Sequence, residues 1–345
     1  MKAAVLYGQK DLRVEEVEQP SIMSDEVLIR VKATGICGSD IPRVLGTAAH
    51  YYPNVLGHEF SGIVEAIGDE VQHVQIGDNV AVAPLKPCHV CEDCLSGRHA
   101  QCKNYSFIGS RESGAWAEYV KAPKVNVVKL PKGCSYVQGA FIEPITVALH
   151  GLYLMDFKPM STVAITGMGT IGLLTLQCAL LMGAKEVTVF DIDDQRLAAA
   201  RELGASHTVN TLSPDLHETI KKSHGSQGFE MVIETAGVPF TELLCLELAG
   251  PRASVMYIGT PHQSFTIEPK QFEMMNRKEL TLRGSWMSYS APYPGKEWPM
   301  AAHYLGTGQI NVEPLIDRKI GLDEMPEAFE AIEKGDVAGK VIVMM

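Results

Sequence analysis

The sequence predicts an α/β protein in which a β-rich first part is followed by a region of alternating strands and helices. Short runs rich in Val, Ile and Gly, broken by turns, fill the first 130 residues. From Ser161, apolar β-branched runs alternate with helical stretches, as in parallel βαβ units. A glycine-rich turn, Gly167–Gly172, joins the first of these strands to its helix. At 345 residues the chain exceeds one typical core, so two domains are expected.

The composition narrows the classes of function. A hydrophobic content of 46% and a charged content of 21% are typical of a soluble globular protein. The net charge of −11 disfavours nucleic acid or an anionic membrane as a partner. The longest apolar stretch, Gly172–Ala184, is too short for a membrane helix. Because the first residues show no signal sequence, we expect a cytoplasmic protein whose eight cysteines are ligands or core residues rather than disulfides.

The predicted elements of the first part are mostly strands. Val27–Lys32 alternates apolar and polar residues, as a half-buried strand does. Gly62–Ile67, Asn79–Ala83 and Ala117–Val120 are predicted as further strands of a barrel-like domain. Around Cys134–Tyr153 the apolar spacing becomes helical.

The predicted elements then alternate, and the pattern sets the expected domain limits. We expect a first domain over residues 1–150, a second over 151–285, and a return to the first over 286–345, where helices are predicted at 297–305 and 323–334. The strands predicted in the second domain are Thr162–Thr166, Glu186–Phe190, Met231–Glu234 and Ser254–Ile258, and the helices are Ile171–Met182, Gln195–Leu203 and Thr241–Leu248.

Four cysteines form the most specific motif of the chain. Cys88, Cys91 and Cys94 are spaced by two residues each, and Cys102 follows within a lobe of about residues 85–105. Short Cys-x-x-Cys turns place thiolates for tetrahedral zinc. Because a closed site of four cysteines is structural, the chemistry is expected elsewhere in the chain.

The glycine-rich turn indicates a dinucleotide site. Gly167, Gly169 and Gly172 stand between a strand and a helix, where they allow a tight turn and close approach of a pyrophosphate. Asp191, nineteen residues later, would bind the ribose hydroxyls of NAD and repel the 2′-phosphate of NADP, although an aspartate here is also typical of a helix N-cap. Arg196 either covers the adenosine ribose or is a solvated helix charge.

A second group of potential ligands is dispersed along the chain. Cys37 and Asp40 precede His58 and Glu59 by about twenty residues, and Glu143 follows at the start of a helical stretch. Singly, each is typical of a core cysteine or a hydrogen-bonded polar residue. Beside a nicotinamide-binding turn, they offer three ligands and an open position, the arrangement of a catalytic zinc site. Zinc there would act as a Lewis acid on an alcohol.

The segment Gly57–Gly62, with Gly68–Val71 after it, resembles the signature of the zinc-dependent medium-chain alcohol and polyol dehydrogenases, and the resemblance extends over essentially the whole chain. It implies a GroES-like catalytic domain, a Rossmann domain for NAD, and two zinc ions per subunit. The implied site residues are Cys37 and His58 as catalytic zinc ligands, Glu143 as a ligand directly or through water, Glu59 as a ligand or one that exchanges with Glu143, Asp40 behind His58, Ser39 as the group that takes the substrate proton, and Cys88, Cys91, Cys94 and Cys102 around structural zinc.

One position departs from the family pattern. Many members carry a histidine three residues after the serine, and it passes the proton to solvent. This chain has Pro42 there. The exit route therefore stays open between the cofactor ribose with water and Glu59.

Several segments narrow the resemblance to one branch of the family. That branch comprises the galactitol-1-phosphate 5-dehydrogenases, which oxidise galactitol 1-phosphate to tagatose 6-phosphate with NAD. The resemblance therefore implies a polyol phosphate as substrate, with a free polyol such as sorbitol, an arabitol or ribitol phosphate, or L-threonine as alternatives. The matching segments are His50–Pro53, Phe107–Arg111, Glu234–Pro239, Arg277–Leu280 and Gly284–Tyr289.

A phosphorylated substrate requires a cationic anchor, since arginine binds phosphate bidentately. Arg111 and Arg43 are the candidates, with Lys296 as a third, and each is equally typical of a surface charge. Tyr52 and Trp286 are candidate pocket walls or core aromatics.

The resemblance also implies a homodimer or homotetramer, with contacts through the coenzyme-domain sheets. The alternative from another class is a regulatory protein that has kept this fold and lost the chemistry. Retention of all the candidate zinc ligands disfavours that alternative.

Overall fold

The computed structural model describes residues 1–216, 218–220 and 227–345, which divide into two units. The first unit contains Met1–Thr146 and Tyr289–Met345, and the second contains Val147–Ser288. These limits lie a few residues from those expected at 150 and 285. Among the described residues, no helix combines the length and apolar character needed to span a membrane.

The first part of the chain is rich in strands, and the predicted strands are confirmed with small shifts at their ends. The helical stretch predicted around Cys134–Tyr153 is two helices, divided at Phe141. Its elements are β1 Lys2–Gly8, β2 Asp11–Glu16, β3 Glu26–Gly35, α1 Ile41–Val44, β4 Asn54–Val55, β5 Glu59–Ile67, β6 Asn79–Val82, β7 Leu85–Lys86, α2 Glu92–Leu95, β8 Ser106–Phe107, β9 Tyr119–Pro123, β10 Val127–Lys129, α3 Tyr136–Ala140 and α4 Ile142–Leu154.

The second unit alternates strands and helices as predicted, and the strand at Thr162–Thr166 is confirmed residue for residue. Its elements are β11 Thr162–Thr166, α5 Thr170–Leu181, β12 Glu186–Asp191, α6 Asp194–Glu202, β13 His207–Asn210, β14 Phe229–Glu234, α7 Pro239–Leu248, β15 Ala249–Tyr257, α8 Pro269–Arg277 and β16 Thr281–Gly284.

Within the described part of this unit, six parallel strands form one sheet in the order β13-β12-β11-β14-β15-β16. The order reverses at β11, and ligands of such open sheets bind outside the carboxyl ends of the strands at that point. The core of β11 and β14 is fully buried, with Val163, Ile165, Val232 and Ile233 inaccessible to solvent. Strands covered on both faces take this continuous apolar pattern.

The last segment returns to the first unit. Its elements are α9 Glu297–Gly306, β17 Ile316–Gly321, α10 Met325–Lys334 and β18 Lys340–Met344. β18 pairs antiparallel with β3 and parallel with β17, and β3 also pairs with β5. The described strands of this sheet follow the order β10-β6-β5-β3-β18-β17, with β9 alongside β3. The beginning of β18 therefore lies close to the end of β3 and the start of β5.

Candidate active site and zinc centres

The four-cysteine lobe lies between β7 and β8, which pair as a short ladder at its base. The Sγ atoms of Cys88 and Cys94 are 4.0 Å apart, as are those of Cys91 and Cys102. Four thiolates at about 2.3 Å from one zinc are separated by roughly 3.8 Å, whereas a disulfide requires about 2.05 Å. All four ligand atoms lie within 4.8 Å of one another. The lobe therefore fits one tetrahedral zinc ion.

Backbone amides donate hydrogen bonds to the sulfur atoms of the lobe. The amide of Cys91 donates to Cys88 Sγ at 3.4 Å, and the amide of Cys88 donates to Cys102 Sγ at 3.2 Å. Backbone hydrogen bonds lower the pKa of Cys88 and of Cys91, while burial raises the pKa of Cys94 to about 12. A zinc ion at the centre would favour the thiolate form of every member.

Cys37, His58 and Glu59 form a second group, and their ligand atoms also lie within 4.8 Å of one another. Cys37 follows β3, and His58 and Glu59 stand at the start of β5. Because Gly35 at the end of β3 pairs with Glu59, the antiparallel register brings the three side chains together. His58 and Glu59 are buried and Cys37 is partly exposed. One thiol, one imidazole and one carboxylate are a donor set that zinc accepts.

Asp40 is a buried carboxylate next to the group of Cys37, His58 and Glu59. Its carboxylate is inaccessible to solvent and accepts hydrogen bonds from the Cys37 amide and from Arg43 Nη1, each at 3.1 Å. Asp40 Oδ1 lies 3.6 Å from His58 Nδ1, which is longer than a hydrogen bond. Burial raises the pKa of Asp40, while His58 and Arg43 oppose the rise. Asp40 is thus placed to fix the imidazole once a ligand draws the ring into position.

Lys340 was not among the residues predicted from the sequence. Its Nζ donates to Glu59 Oε2 at 2.7 Å and Oε1 at 2.8 Å, and to the carbonyl of Ile36 at 3.2 Å. Both charged side chains are buried. Burial alone would lower the pKa of Lys340, but Glu59 and Cys37 outweigh burial, so the pKa is raised. The ammonium group therefore stays charged beside the candidate ligands. A lone lysine opening an apolar C-terminal strand was the available sequence signal.

Glu143, in the first turn of α4, is outside the group of three whose ligand atoms converge. The protein packed around its carboxyl raises its pKa to about 7, and the charge of Glu59 adds to the rise while His58 opposes it. Glu143 is thus electrostatically linked to the group. Glu59, and not Glu143, is the carboxylate in ligand range of Cys37 and His58.

Ser39 is exposed beside this group, in the 3₁₀ turn of residues Gly38–Asp40. Its Oγ accepts a hydrogen bond from Arg43 Nη1 at 2.9 Å. Pro42 occupies the first turn of α1, where a missing amide hydrogen costs nothing. The position of the family histidine is thus filled by a helix-starting residue, and the guanidinium of Arg43 is the basic group next to Ser39.

The glycine-rich turn has the form required for a dinucleotide. Gly167 has a φ of +85°, and a Cβ at Gly172 would lie 1.8 Å from the carbonyl oxygen of Gly167. Only glycine fits these two positions. Gly169 caps the N-terminus of α5, and apart from its chain neighbours no atom of the described residues lies within 4 Å of where its Cβ would be. The open space before the helix N-terminus suits a pyrophosphate, which the exposed amides and the helix dipole attract.

Asp191 lies at the end of β12 and is buried. Its Oδ2 accepts the amide of Met168 at 2.5 Å, and its Oδ1 accepts the amide of Asp193 at 2.9 Å. The alternative that Asp191 is a helix N-cap is wrong, because Asp193 caps α6 and accepts the amides of Gln195 and Arg196. Asp191 therefore connects the glycine-rich turn to the next strand, where the ribose is expected. Arg196 lies in the first turn of α6 and is partly buried.

The candidate substrate residues are placed as follows. Tyr52 in the first unit is 40% exposed and Trp286 in the second is 54% exposed, so the alternative that they are core aromatics is wrong. Arg43 contacts Ser39 directly. Arg111 is exposed and its guanidinium lies 4.5 Å from the ring centre of Tyr105. Lys296 is exposed at the start of α9.

A cavity of about 550 Å³ in the first unit contains none of the predicted site residues. It is lined by β1, β9 and the neighbouring loops, with Tyr7, Tyr51 and Lys86 among its walls. The convergence of ligand atoms, rather than the volume of a cavity, identifies the candidate active site.

Known proteins that are similar to this chain support the assignment of two zinc sites and a dinucleotide site. A family model described as the alcohol dehydrogenase GroES-like domain matches residues 23–132, and one described as zinc-binding dehydrogenase matches residues 170–303. The chain is 42% identical to galactitol 1-phosphate 5-dehydrogenase of Escherichia coli K12 over the full length of both. The chain belongs to the zinc-binding alcohol dehydrogenase family. It is 32% identical to sorbitol dehydrogenase of Bacillus subtilis, covering 96% of this chain and 93% of that enzyme.

Solved structures of similar proteins support the same family assignment. The crystal structure of galactitol-1-phosphate dehydrogenase from E. coli matches with a TM-score of 0.96, 42% identity and full coverage of both chains. A zinc-binding dehydrogenase from Sinorhizobium meliloti bound to NADP matches with a TM-score of 0.90, 33% identity, and coverage of 100% and 99%. The predicted GroES-like and Rossmann architecture is confirmed. The chain is an oxidoreductase of this family, with zinc and a nicotinamide dinucleotide as cofactors.

Proposed function

We propose that this chain oxidises a secondary hydroxyl of a polyol phosphate with NAD, converting galactitol 1-phosphate to tagatose 6-phosphate. The 42% identity with the E. coli enzyme over the full length supports this substrate. The observation that carries the proposal is the convergence of Cys37, His58 and Glu59 beside the exposed hydroxyl of Ser39.

In this proposal Cys37, His58 and Glu59 hold the reactive zinc, and Glu143 is the alternative carboxylate. When bound, zinc supplies a Lewis acid that lowers the pKa of a substrate hydroxyl. Lys340 neutralises Glu59 and holds it through two hydrogen bonds. Burial raises the pKa of Glu143 to about 7 in the metal-free protein, and the charge of Glu59 adds to the rise. This electrostatic link supports the proposal that the two carboxylates exchange during turnover.

Ser39 is the proposed acceptor of the substrate proton. Ser39 takes the substrate proton as its own hydroxyl proton moves on, and the hydrogen bond from Arg43 stabilises negative charge on Oγ during this exchange. An arginine has no acceptor atom and stays charged, so Arg43 is not the next carrier of the proton. With Pro42 in place of the family histidine, the candidate exits for the proton are the cofactor ribose with water, and Glu59.

The second unit is proposed to hold NAD rather than NADP. Gly167, Gly169 and Gly172 receive the pyrophosphate, and the carboxylate of Asp191 binds the ribose hydroxyls while repelling a 2′-phosphate. Arg196 lies in the first turn of the adjoining helix and is a candidate for the adenosine ribose. The cofactor supplies the hydride acceptor, and the protein supplies orientation and charge.

The test is an initial-rate assay of NADH formation with phosphorylated and free hexitols and pentitols and with L-threonine. We expect the highest kcat/KM with galactitol 1-phosphate and NAD, and loss of turnover in His58→Ala with NAD binding and thermal unfolding preserved. Turnover of sorbitol or L-threonine at higher kcat/KM would replace the substrate assignment. NADH formation from none of these substrates would favour a regulatory protein.

A free polyol is the second candidate substrate. The 32% identity with the B. subtilis sorbitol dehydrogenase favours it, since that match spans nearly the whole of both chains. The comparison of galactitol with its 1-phosphate in the same assay separates the two candidates.

The proposal includes a homo-oligomer assembled through the second unit. β16 ends the described sheet, and its Leu282 is 39% exposed. Phe272 on the neighbouring α8 is 56% exposed and Phe265 is 38% exposed. An edge strand with exposed apolar neighbours favours pairing with a second copy of the chain. A cytoplasmic setting is also proposed, because the four thiols of the lobe must stay reduced to bind zinc.

A further inference from the structure

Arg43, His50 and Arg111 are three basic residues on the first unit of this acidic chain, close to Ser39. Arg43 contacts Ser39 Oγ at 2.9 Å through Nη1. His50 lies near enough to both arginines that, after burial, their charges are what lower its pKa. The three basic side chains thus share one region, although they are up to 68 residues apart in sequence.

Hydrogen bonds and a ring contact support this convergence. Asn54 Nδ2 donates to the carbonyl of Ser110 at 3.0 Å, and this buried bond joins the segment after His50 to the residue before Arg111. The amide of Arg111 donates to the carbonyl of Phe107 at 2.9 Å. The ring of Phe107 meets the ring of His58 edge to face, with centroids 5.6 Å apart. The turn that carries Arg111 is therefore packed against a proposed zinc ligand.

The two arginines are incompletely neutralised. Within the described part of the chain, Arg111 makes no ion pair, and its Nη2 contacts only Tyr105 Oη at 3.3 Å. Arg43 uses Nη1 for Asp40 and for Ser39, and its Nη2 and Nε have no partner among the described residues. Other exposed arginines, such as Arg13 and Arg98, are bound to carboxylates. In a chain of net charge −11, Arg111 without a carboxylate partner, near an Arg43 that shares only Nη1 with Asp40, marks a place for an anion.

We propose that His50 and Arg111, with the free face of Arg43, bind the phosphate group of the substrate. This inference rests on the proposed polyol-phosphate dehydrogenase function and deepens it. The planar guanidinium of Arg111 matches two phosphate oxygens, and its stacking on Tyr105 restricts it before the ligand arrives. A phosphate dianion between the arginines would offset their repulsion of a protonated His50, which then donates a hydrogen bond.

The same arrangement would select the hydroxyl that reacts. Arg43 can serve both the reacting hydroxyl and the phosphate, since its Nη1 contacts Ser39 and Asp40 while its Nη2 and Nε have no partner in the described part of the chain. A substrate held by its phosphate at Arg111 and His50 extends its carbon chain toward Ser39. The distance between the phosphate site and Ser39 then determines which carbon of the substrate is oxidised.

The test compares galactitol 1-phosphate with galactitol in wild type, Arg111→Ala and His50→Ala. We expect kcat/KM for the phosphorylated substrate to fall about tenfold to a hundredfold in each variant, because a hydrogen bond to a charged group is lost. For free galactitol we expect a change of about twofold or less, as for other surface substitutions. Inorganic phosphate should inhibit wild type competitively and both variants more weakly.

Arg13→Ala is the matched control. Arg13 is also an exposed arginine stacked on a tyrosine, with its guanidinium 4.8 Å from the ring centre of Tyr7, so its loss changes the net charge equally. We expect it to leave both substrates unaffected. Arg111→Lys should restore part of the activity on the phosphorylated substrate, since it restores the charge without the bidentate fork.

The outcomes separate this inference from the proposed function. No turnover of any polyol phosphate by wild type would remove the proposed function and the phosphate site with it. Wild-type turnover with equal kcat/KM for galactitol and its phosphate would overturn the phosphate site alone. Equal losses on both substrates in Arg111→Ala and His50→Ala, or no loss on either, would also overturn it alone.

Discussion

Single residues decide the electrostatics of the candidate active site. Glu59 is a buried carboxylate that would be costly without a counter-charge, and Lys340 supplies that charge at 2.7 Å. The buried carboxylate of Asp40 is also compensated, because Arg43 and the Cys37 amide donate hydrogen bonds to it. The site is therefore balanced by cations before any metal binds.

The Lys340–Glu59 pair provides the first prediction. Lys340→Met should lower the free energy of unfolding by about 3–5 kcal/mol, because it leaves a buried carboxylate without its partner. The measurement is denaturant unfolding of the protein stripped of metal. Lys340→Met combined with Glu59→Gln should recover part of the loss, since the uncompensated charge is then gone.

An exposed ion pair provides the control for this prediction. Lys2 pairs with Asp323 at the same distance of 2.7 Å, but at the surface. Lys2→Met should have little effect, since water screens exposed pairs. Equal losses for the two lysine variants would show that burial is not the cause.

Asp191 carries the second prediction. Asp191→Asn removes the negative charge and keeps an acceptor oxygen for one of the two amides, of Met168 or of Asp193, while its NH2 group faces the other. We expect the ratio of kcat/KM for NAD to that for NADP to fall, because a 2′-phosphate is no longer repelled. Steady-state kinetics with each cofactor measures the ratio. An unchanged ratio would assign Asp191 a purely structural role.

At the scale of elements, the zinc lobe is self-contained between β7 and β8. Cys94→Ser should lower the zinc content and the unfolding temperature while the rate of hydride transfer in the remaining folded protein is preserved, because the lobe carries no reacting group. Metal analysis, thermal unfolding and single-turnover kinetics measure the three quantities. Cys134→Ser, at a buried cysteine outside both groups, is the control and should retain full zinc. A Cys94 variant that is stable but has lost only hydride transfer would contradict the structural role.

Helix α7 places Glu242 where its charge is unfavourable. Its Oε1 is buried and has no hydrogen-bond partner among the described residues. Burial raises the pKa of Glu242 to about 7, and the nearby charge of Glu234 adds to the rise. Because the folded-state pKa lies above the ordinary value, the folded protein holds the proton more tightly than the unfolded chain. The stabilising contribution is therefore present below the ordinary pKa and is lost as the pH rises through about 7.

Glu242→Gln should remove this dependence. We expect the variant to be more stable than wild type at about pH 8 and to lose that advantage toward about pH 5, since protonated glutamate and glutamine are both neutral. Thermal unfolding across this range measures the difference. Glu247→Gln, at an exposed position of the same helix, should leave the pH dependence unchanged. A Glu242→Gln advantage that is constant with pH would point to packing instead of charge.

At the scale of the whole molecule, the apolar side chains of β16 and α8 should govern assembly. Leu282→Glu and Phe272→Glu place a charge on the proposed contact, where an unpaired charge is costly to bury. We expect a shift to smaller species in light scattering after size exclusion. Ile76→Glu, at a 65% exposed position of the first unit, is the control and should keep the wild-type mass. A monomeric wild type would remove the proposed oligomer.

The sequence by itself determined the features that depend on neighbouring residues. The cysteine spacing specified the lobe, the three glycines specified the turn before α5, and β-branched runs specified β11 and β14, because these signals are local. Tertiary structure decided which distant residues meet. Lys340 reaches Glu59, 281 residues away, only because β18 inserts between β3 and β17. The buried Asn54–Ser110 bond joins the segment after His50 to the residue before Arg111, 56 residues apart. Local spacing encodes turns and strands, whereas the register of a sheet selects the pairs of side chains, and that register is set by the burial of the whole core.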